Sequence, residues 1–325
     1  MNELLFSVFT LLFAISGYAF FQSRARRRGW HFTQGLPKDL DHYLAAKESR
    51  YAKIVPNTEK TIIWYAPETK RQTAISIVFI HGYSASRQEL SPLTENIAQR
   101  LKANLFLTRL TGHGQDANAM NDVSIPALQN DVAEAYEIGK KIGKKMILMG
   151  NSTGATLLTC FASSLSLPQV LGLILLSPNY GLQNKQSEWL LLPLARYWMP
   201  IFKGKHYEFV PSNERQAQYW TCKYPLTALV PMMKFVQMAR NAHLSNIALA
   251  TLILYAAEDQ LIDNEQTKKI YGKLGSRNKK IESIHGAQGD TRHVIAGDIL
   301  SPHTTQKVEE KLMSFISLLI SDSSG

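Results

Sequence analysis

The sequence predicts an α/β fold built on a mostly parallel sheet, and three observations carry that expectation. Short apolar runs at 75–80, 105–107, 146–149, 170–176 and 251–256 are separated by segments long enough for helices, the alternation that gives parallel sheets. The run 75–80 is β-branched and nearly continuous, as a strand covered on both faces is. The run 146–149 leads straight into Gly150-Asn151-Ser152-Thr153-Gly154 and a helix-compatible stretch at 155–164. A strand that turns at once into a helix with serine at the apex needs small neighbours, because the two elements meet closely at the turn.

Composition bounds the reading. At 325 residues the chain can hold one α/β core with additions, and its 45% apolar content is ordinary for a folded protein. The net charge is +10, but Arg24, Arg26, Arg27 and Arg28 form one short cluster, and without those four the remainder is +6. The other Lys and Arg residues are dispersed and no nucleic-acid module is recognisable, so the expected partner is an anionic membrane and not a nucleic acid. Cys160 and Cys222 have no paired spacing, which supports neither a disulfide framework nor a zinc site.

In chain order, residues 4–21 carry no charge and are rich in Leu, Phe, Ile and Ala, which as a helix spans about 27 Å. Positive charge follows this run instead of preceding it, the reverse of a cleaved signal peptide. The expectation is an uncleaved single-pass anchor over 1–28, preceding the fold as one transmembrane helix. By the positive-inside rule, the domain that follows then faces the cytoplasm. Residues 29–50 read as a linker, with a short helix or linker near 37–51, and 51–325 as the main folded domain.

Within that domain, 62–65 is the first strand, and 75–80 leads into His81-Gly82-Tyr83-Ser84. The strand at 105–107 is followed by Leu110-Thr111-Gly112-His113-Gly114. A helix over 125–143 has Ser124 as N-cap and Pro126 in its first turn. After the strand 170–176, the next strand does not arrive until 251. The interval, about 179–247, holds Trp189, Leu190, Leu191, Leu192, Leu194, Trp198, Met199, Ile201 and Phe202, and is expected to form a lid over the site. The last strand is 281–284. A final helix over 304–319 repeats Val308, Leu312, Phe315, Ile316 and Leu319 at helical spacing, so one face should cover the sheet.

The chemistry follows from Ser152. A serine hydroxyl becomes nucleophilic when a histidine takes its proton and a carboxylate orients the resulting imidazolium. Asp259 lies just past the strand 251–256, with Glu258 and Asp263 as rivals. His293 lies in the loop after the last strand, with His285 and His303 as rivals. The order Ser, Asp, His, each at the end of a strand, is that of α/β-hydrolases.

On these residues the chain resembles the α/β-hydrolase superfamily and, within it, the monoacylglycerol lipase, lysophospholipase and carboxylesterase branch, over roughly 62–319. The resemblance implies helices on both faces of the sheet and an inserted lid. It makes His81-Gly82-Tyr83 the oxyanion loop, with the backbone N–H groups of Tyr83 and Thr153 as donors, and it favours Asp259, first in D-x-x-x-D, and His293, followed by Val-Ile-x-Gly-Asp. Gly112-His113-Gly114 matches a recurring loop in which His113 is structural. Asn151 and Thr153 stand where the branch commonly has His and Met or Gln.

The expected activity is hydrolysis of lipid-derived monoacyl esters through an acyl-enzyme, with no metal or organic cofactor. Acyl thioesters and aminopeptidase-like amide substrates use the same machinery. A non-catalytic binding module on this fold is the reading that the complete Ser-Asp-His order opposes.

Overall fold

A computed structural model describes residues 29–33 and 35–322. The apolar segment 4–21 and the arginines at 24, 26, 27 and 28 lie outside the described residues. Among the described residues, no helix is long and apolar enough to cross a membrane.

Seven strands form the central sheet: β1 (Thr61–Ile63), β2 (Thr73–Ile80), β3 (Asn104–Leu107), β4 (Gly143–Asn151), β5 (Val170–Leu176), β8 (Ala250–Ala256) and β9 (Lys279–Ile284), in the order β1-β3-β2-β4-β5-β8-β9. All neighbours are parallel except the short edge strand β1, which pairs antiparallel with β3. The central strands split their side chains between two cores. Val78, Ile80, Leu148, Leu173 and Leu175 point to one face, whereas Ile77, Phe79, Ile147, Ile174 and Leu176 point to the other. Period-two alternation therefore survives, but both halves are apolar because both faces are covered.

Helices cover each face. On the first lie α3 (Ile125–Ile142) and α4 (Thr153–Ser164); on the second lie α2 (Leu93–Arg100) and α9 (Pro302–Asp322). The Ser124 hydroxyl accepts from the Ala127 N–H at 3.3 Å and caps α3, with Pro126 in the first turn. Leu128, Val132, Ala135, Ile138 and Ile142 make its buried stripe. Val308, Leu312, Phe315, Ile316 and Leu319 of α9 all enter the second core. Cys160 is buried and Cys222 half-buried, both as free thiols.

The segment assigned to a linker carries α1 (Leu40–Glu48), and it is packed into the hydrolytic body. Leu36, Leu40 and Leu44 join the first core. Glu48 holds the buried Arg109 bidentately, through Nε at 2.7 Å and Nη2 at 2.8 Å. Nearby, the buried Lys60 ammonium lies 3.0 Å from Asp131 and 2.6 Å from Glu134, and Glu134 also accepts from Tyr43 at 2.6 Å. Sequence periodicity over nine residues is too short to reveal such anchoring, which depends on partners about sixty to ninety positions away.

The lid expected over 179–247 contains α5 (Ala195–Lys203), a hairpin of β6 (His206–Glu208) and β7 (Lys223–Pro225) around α6 (Glu214–Tyr219), and α7 (Leu229–Arg240). After it, α8 (Asn264–Lys273) precedes β9.

Because Arg109 is 1% exposed, Glu48→Ala would leave its charge buried without a counter-charge. The expected cost is about 3–5 kcal/mol of unfolding free energy, measured by urea denaturation. A loss below about 1 kcal/mol would mean that the pair does not tie α1 to the body.

Candidate active site

The turn after β4 places Ser152 at an unusual backbone conformation, φ 51° and ψ −117°. Strain of this kind persists only where the surroundings enforce it. A Cβ at Gly150 would sit 2.6 Å from the Ala155 nitrogen, and one at Gly154 would sit 2.0 Å from the Ile80 carbonyl oxygen. Neither position admits a side chain, so the small residues of the motif are explained by close approach. The Ser152 N–H donates to the Leu176 carbonyl at 2.8 Å, which ties the apex to the end of β5. Thr153 opens α4, where backbone N–H groups have no partner inside the helix.

The two partners named from sequence are brought together. His293 Nδ1 lies 2.7 Å from Asp259 Oδ2, and Asp259 Oδ1 accepts from the N–H groups of Leu261 and Ile262, each at 2.8 Å. With both carboxylate oxygens engaged, the ring is oriented so that Nε2 is left without a partner. The Ser177 hydroxyl donates to the His293 carbonyl at 2.7 Å and fixes the backbone of that loop. Burial opposes protonation of His293, but the Asp259 carboxylate, by charge and hydrogen bond, outweighs it together with the more distant Glu89. The imidazole pKa is raised above its usual value.

The rivals lie elsewhere. Glu258 and His285 pair with each other at 2.8 Å in an exposed position. Asp263 caps α8 and holds Lys185 at 2.6 Å, and His303 is exposed on α9.

Ser152, His293, Tyr83 and Thr153 line one cavity of about 340 Å³. Its lid wall comes from Tyr207, Phe209, Val210, Trp220, Tyr224, Leu229 and Met232, which belong to the hairpin region and α7. The aromatic and leucine cluster noted at 189–202 does not line it. Leu190 and Met199 are buried in the lid's own packing, while Ile201 and Phe202 are 78% and 76% exposed. Apolar content marked the segment, but content has no direction, and α5 turns Tyr197, Ile201 and Phe202 outward. Among the described residues, no group of three or more His, Cys, Asp or Glu side chains is placed to hold a metal ion.

A sequence profile of the family described as serine aminopeptidase, S33, matches residues 71–295, more than half of the chain. The chain belongs to this family. No curated protein matches it significantly in sequence. Among solved structures, the S33 chain is similar to one reported for LipS and LipT, two metagenome-derived lipolytic enzymes, at 17% identity and a TM-score of 0.66, covering 82% of this chain and 99% of the other. It is similar to a soluble variant of monoglyceride lipase from Saccharomyces cerevisiae at 13% identity and a TM-score of 0.59, covering 82% and 97%. The monoacylglycerol lipase of Paleococcus ferrophilus gives 14% and 0.56, covering 81% and 98%. At these identities the likeness establishes the α/β-hydrolase fold.

In this S33 enzyme the loop after β2 is braced by two histidines that must stay neutral. His113 Nε2 accepts the Ser84 N–H at 3.0 Å, and Nδ1 donates to the Thr111 carbonyl at 2.9 Å. His81 Nε2 accepts the Leu110 N–H at 3.0 Å. Burial is the main cause that lowers both, His113 to about 4 and His81 well below its usual value. The Tyr83 side chain stacks edge-on to His113 at 5.1 Å and donates through its hydroxyl to the Ala228 carbonyl, just before α7. The Ser84 carbonyl accepts from the Thr221 N–H at 2.7 Å. The lid is thus bonded to the loop that carries Tyr83.

Sequence reasoning missed Glu89, which is 1% exposed and lines the same cavity. It stands in the polar string Ser86-Arg87-Gln88-Glu89, where an acidic residue reads as a solvated surface group. No periodicity or motif marks it.

Replacing Ser152 with Ala should abolish ester turnover and fluorophosphonate labelling while the protein stays folded; labelling that persists would place the nucleophile elsewhere. Asp259→Asn should lose about four orders of magnitude in kcat, far more than Asp263→Asn, and His293→Ala should be inactive where His285→Ala is not. Equal losses within either pair would transfer the role.

Proposed function

We propose that the protein is a membrane-anchored serine hydrolase that cleaves carboxylic esters of lipid-derived monoacyl compounds, lysophospholipids or monoacylglycerols, through an acyl-enzyme on Ser152. The observation that carries this reading is the buried Asp259–His293 pair opening onto the same mostly apolar cavity as the strained Ser152. In the reaction, Ser152 Oγ attacks the ester carbonyl carbon while His293 Nε2 takes its proton. The negative charge that develops on the carbonyl oxygen is held by the Tyr83 and Thr153 N–H groups. His293 then protonates the departing alcohol, and water repeats the sequence on the acyl-enzyme to release the fatty acid.

Three features support the lipid assignment. The cavity walls Phe209, Val210, Trp220, Leu229 and Met232 suit an acyl chain. Trp189, Leu192, Leu194, Tyr197, Ile201 and Phe202 leave a large apolar area exposed on the lid, an arrangement suited to contact with lipid. Two of the similar structures are lipases named for monoacylglycerol. The membrane part rests on residues 4–21 and the arginines at 24, 26, 27 and 28. The family description favours a second reading, cleavage of an amide beside a free amino group; the apolar cavity weighs against it.

A panel on the purified full chain separates these readings: lysophospholipid, monoacylglycerol, a short-chain ester, an acyl thioester and an aminoacyl anilide. The highest kcat/KM is expected on a monoacyl lipid ester, and a preference for the anilide would favour the aminopeptidase reading. Deleting 1–28 should preserve the short-chain ester rate and reduce the rate on vesicle-borne lipid; equal vesicle rates would remove the anchor from substrate delivery.

Topology is tested separately. Glu3 is the only charged side chain before the apolar run and four arginines follow it, so a reporter fused after Gly325 should behave as cytoplasmic. Active alkaline phosphatase at that position in intact cells would overturn the orientation.

A further inference from the structure

Glu89 is buried in the cavity wall and has no part in the acyl transfer described above. Its Oε1 accepts the Gly82 N–H at 2.5 Å. A Cβ at Gly82 would lie 3.0 Å from Glu89 Oε2 and 3.2 Å from the Ser152 Cβ, so the carboxyl and the nucleophile flank the same point of backbone. On its main-chain side, a Cβ at Gly297 would sit 2.4 Å from the Glu89 carbonyl oxygen, and Gly297 lies four residues beyond His293. One residue therefore touches the loop carrying Tyr83, abuts the turn carrying Ser152 and packs against the loop carrying His293.

A brace for Gly82 needs only an acceptor, which an amide or hydroxyl supplies without taking a charge out of water. A carboxyl at this place supplies something more, the negative charge it carries above about pH 7, which acts on the base from a distance. We propose that Glu89 is a positioning residue for acyl transfer: it anchors Gly82 so that the next N–H, that of Tyr83, faces the developing oxyanion, and its charge keeps His293 basic.

The surroundings fit this role. From the histidine loop, the titratable group facing Glu89 is His293. The elbow presents the Asn151 amide, and the Tyr83 loop presents the Gly82 N–H. Asp259 acts on the same imidazole from its Nδ1 side. Burial lifts the Glu89 carboxyl to about 7, with the Gly82 N–H, the Asn151 amide and the His293 charge offsetting part of the rise. Glu89 in turn helps raise His293. The base must be neutral to act, so kcat/KM should fall on the acid side with a midpoint above the ordinary histidine value of about 6.5. The two groups titrate over one pH range, so Glu89 is only partly charged there; removing that partial charge moves the limb to lower pH.

The test uses the full chain and a short-chain p-nitrophenyl ester. Glu89→Gln keeps an oxygen for Gly82 and removes the charge; its acid limb is expected to move down by about a few tenths of a pH unit. Glu89→Ala removes both, and should add a fall in kcat of about ten- to a hundredfold at unchanged KM, because a backbone donor loses its alignment. A wild-type acid limb in Glu89→Gln, or an unchanged kcat in Glu89→Ala alongside a lowered Tm, overturns the role. If Glu89→Ala does not fold, the limb of Glu89→Gln decides alone. The inference rests on Ser152 and His293 acting as proposed; a wild-type protein that turns over no ester sinks that reading, whereas an active wild type with an unmoved limb in Glu89→Gln sinks only Glu89.

Discussion

The contact on which the site depends is between two pieces of backbone. Gly154, in the first turn of α4, lies so close to the Ile80 carbonyl at the end of β2 that a Cβ would approach it to 2.0 Å. Strand β2 continues into His81, Gly82 and Tyr83, and Ser152 precedes Gly154 by two residues. One approach between neighbouring strand ends therefore sets the separation of Ser152 from the loop proposed to bind the developing oxyanion. The positive φ of Ser152 and the bare Gly150 follow from satisfying it. Strain at the serine is tolerated because β4 is held by β2 and β5 on both edges.

Beneath that contact runs a polar relay that starts far from the site. Glu48 grips Arg109, whose Nη1 donates to the His113 carbonyl at 3.1 Å, and Asp131 accepts the Thr111 N–H at 2.6 Å. These bonds hold the 109–114 loop, and His113 passes the order on to Ser84. An imidazole accepts an N–H only while its nitrogen keeps a lone pair, so the low pKa of His113 is a condition for the brace to exist. Buried ionic groups elsewhere in the relay come with partners, as the cost of leaving them unpaired requires.

Much of this was legible in the sequence because it is local. The strand at 170–176 coincides with β5, and the elbow motif reads directly from spacing because close backbone approach leaves glycine as its signature. Asp259 and His293 were legible as positions after strands; that 2.7 Å separates them depends on how β8 and β9 pair. What stayed hidden was non-local or directional. Glu48, Lys60 and Glu89 look like surface charges until their partners are known, and the helix Leu40–Glu48 is too short to announce its buried side. The lid aromatics were visible as content, yet only packing decides that Leu190 turns inward while Ile201 and Phe202 face outward.

The bonds from Tyr83 to Ala228 and from Ser84 to Thr221 bear on timing. Were the lid hinged freely, access and reactivity would be independent, and the enzyme could attack water-exposed esters with the roof raised. Here the roof is stitched to the loop that carries Tyr83. Any excursion of Ala228 and Thr221 large enough to break those stitches also releases the Tyr83 ring from its seat against His113 and Tyr224. On the proposed chemistry, admission and turnover would then exclude each other in time: a raised roof would leave the Tyr83 amide out of place, and reaction would wait until both bonds re-form.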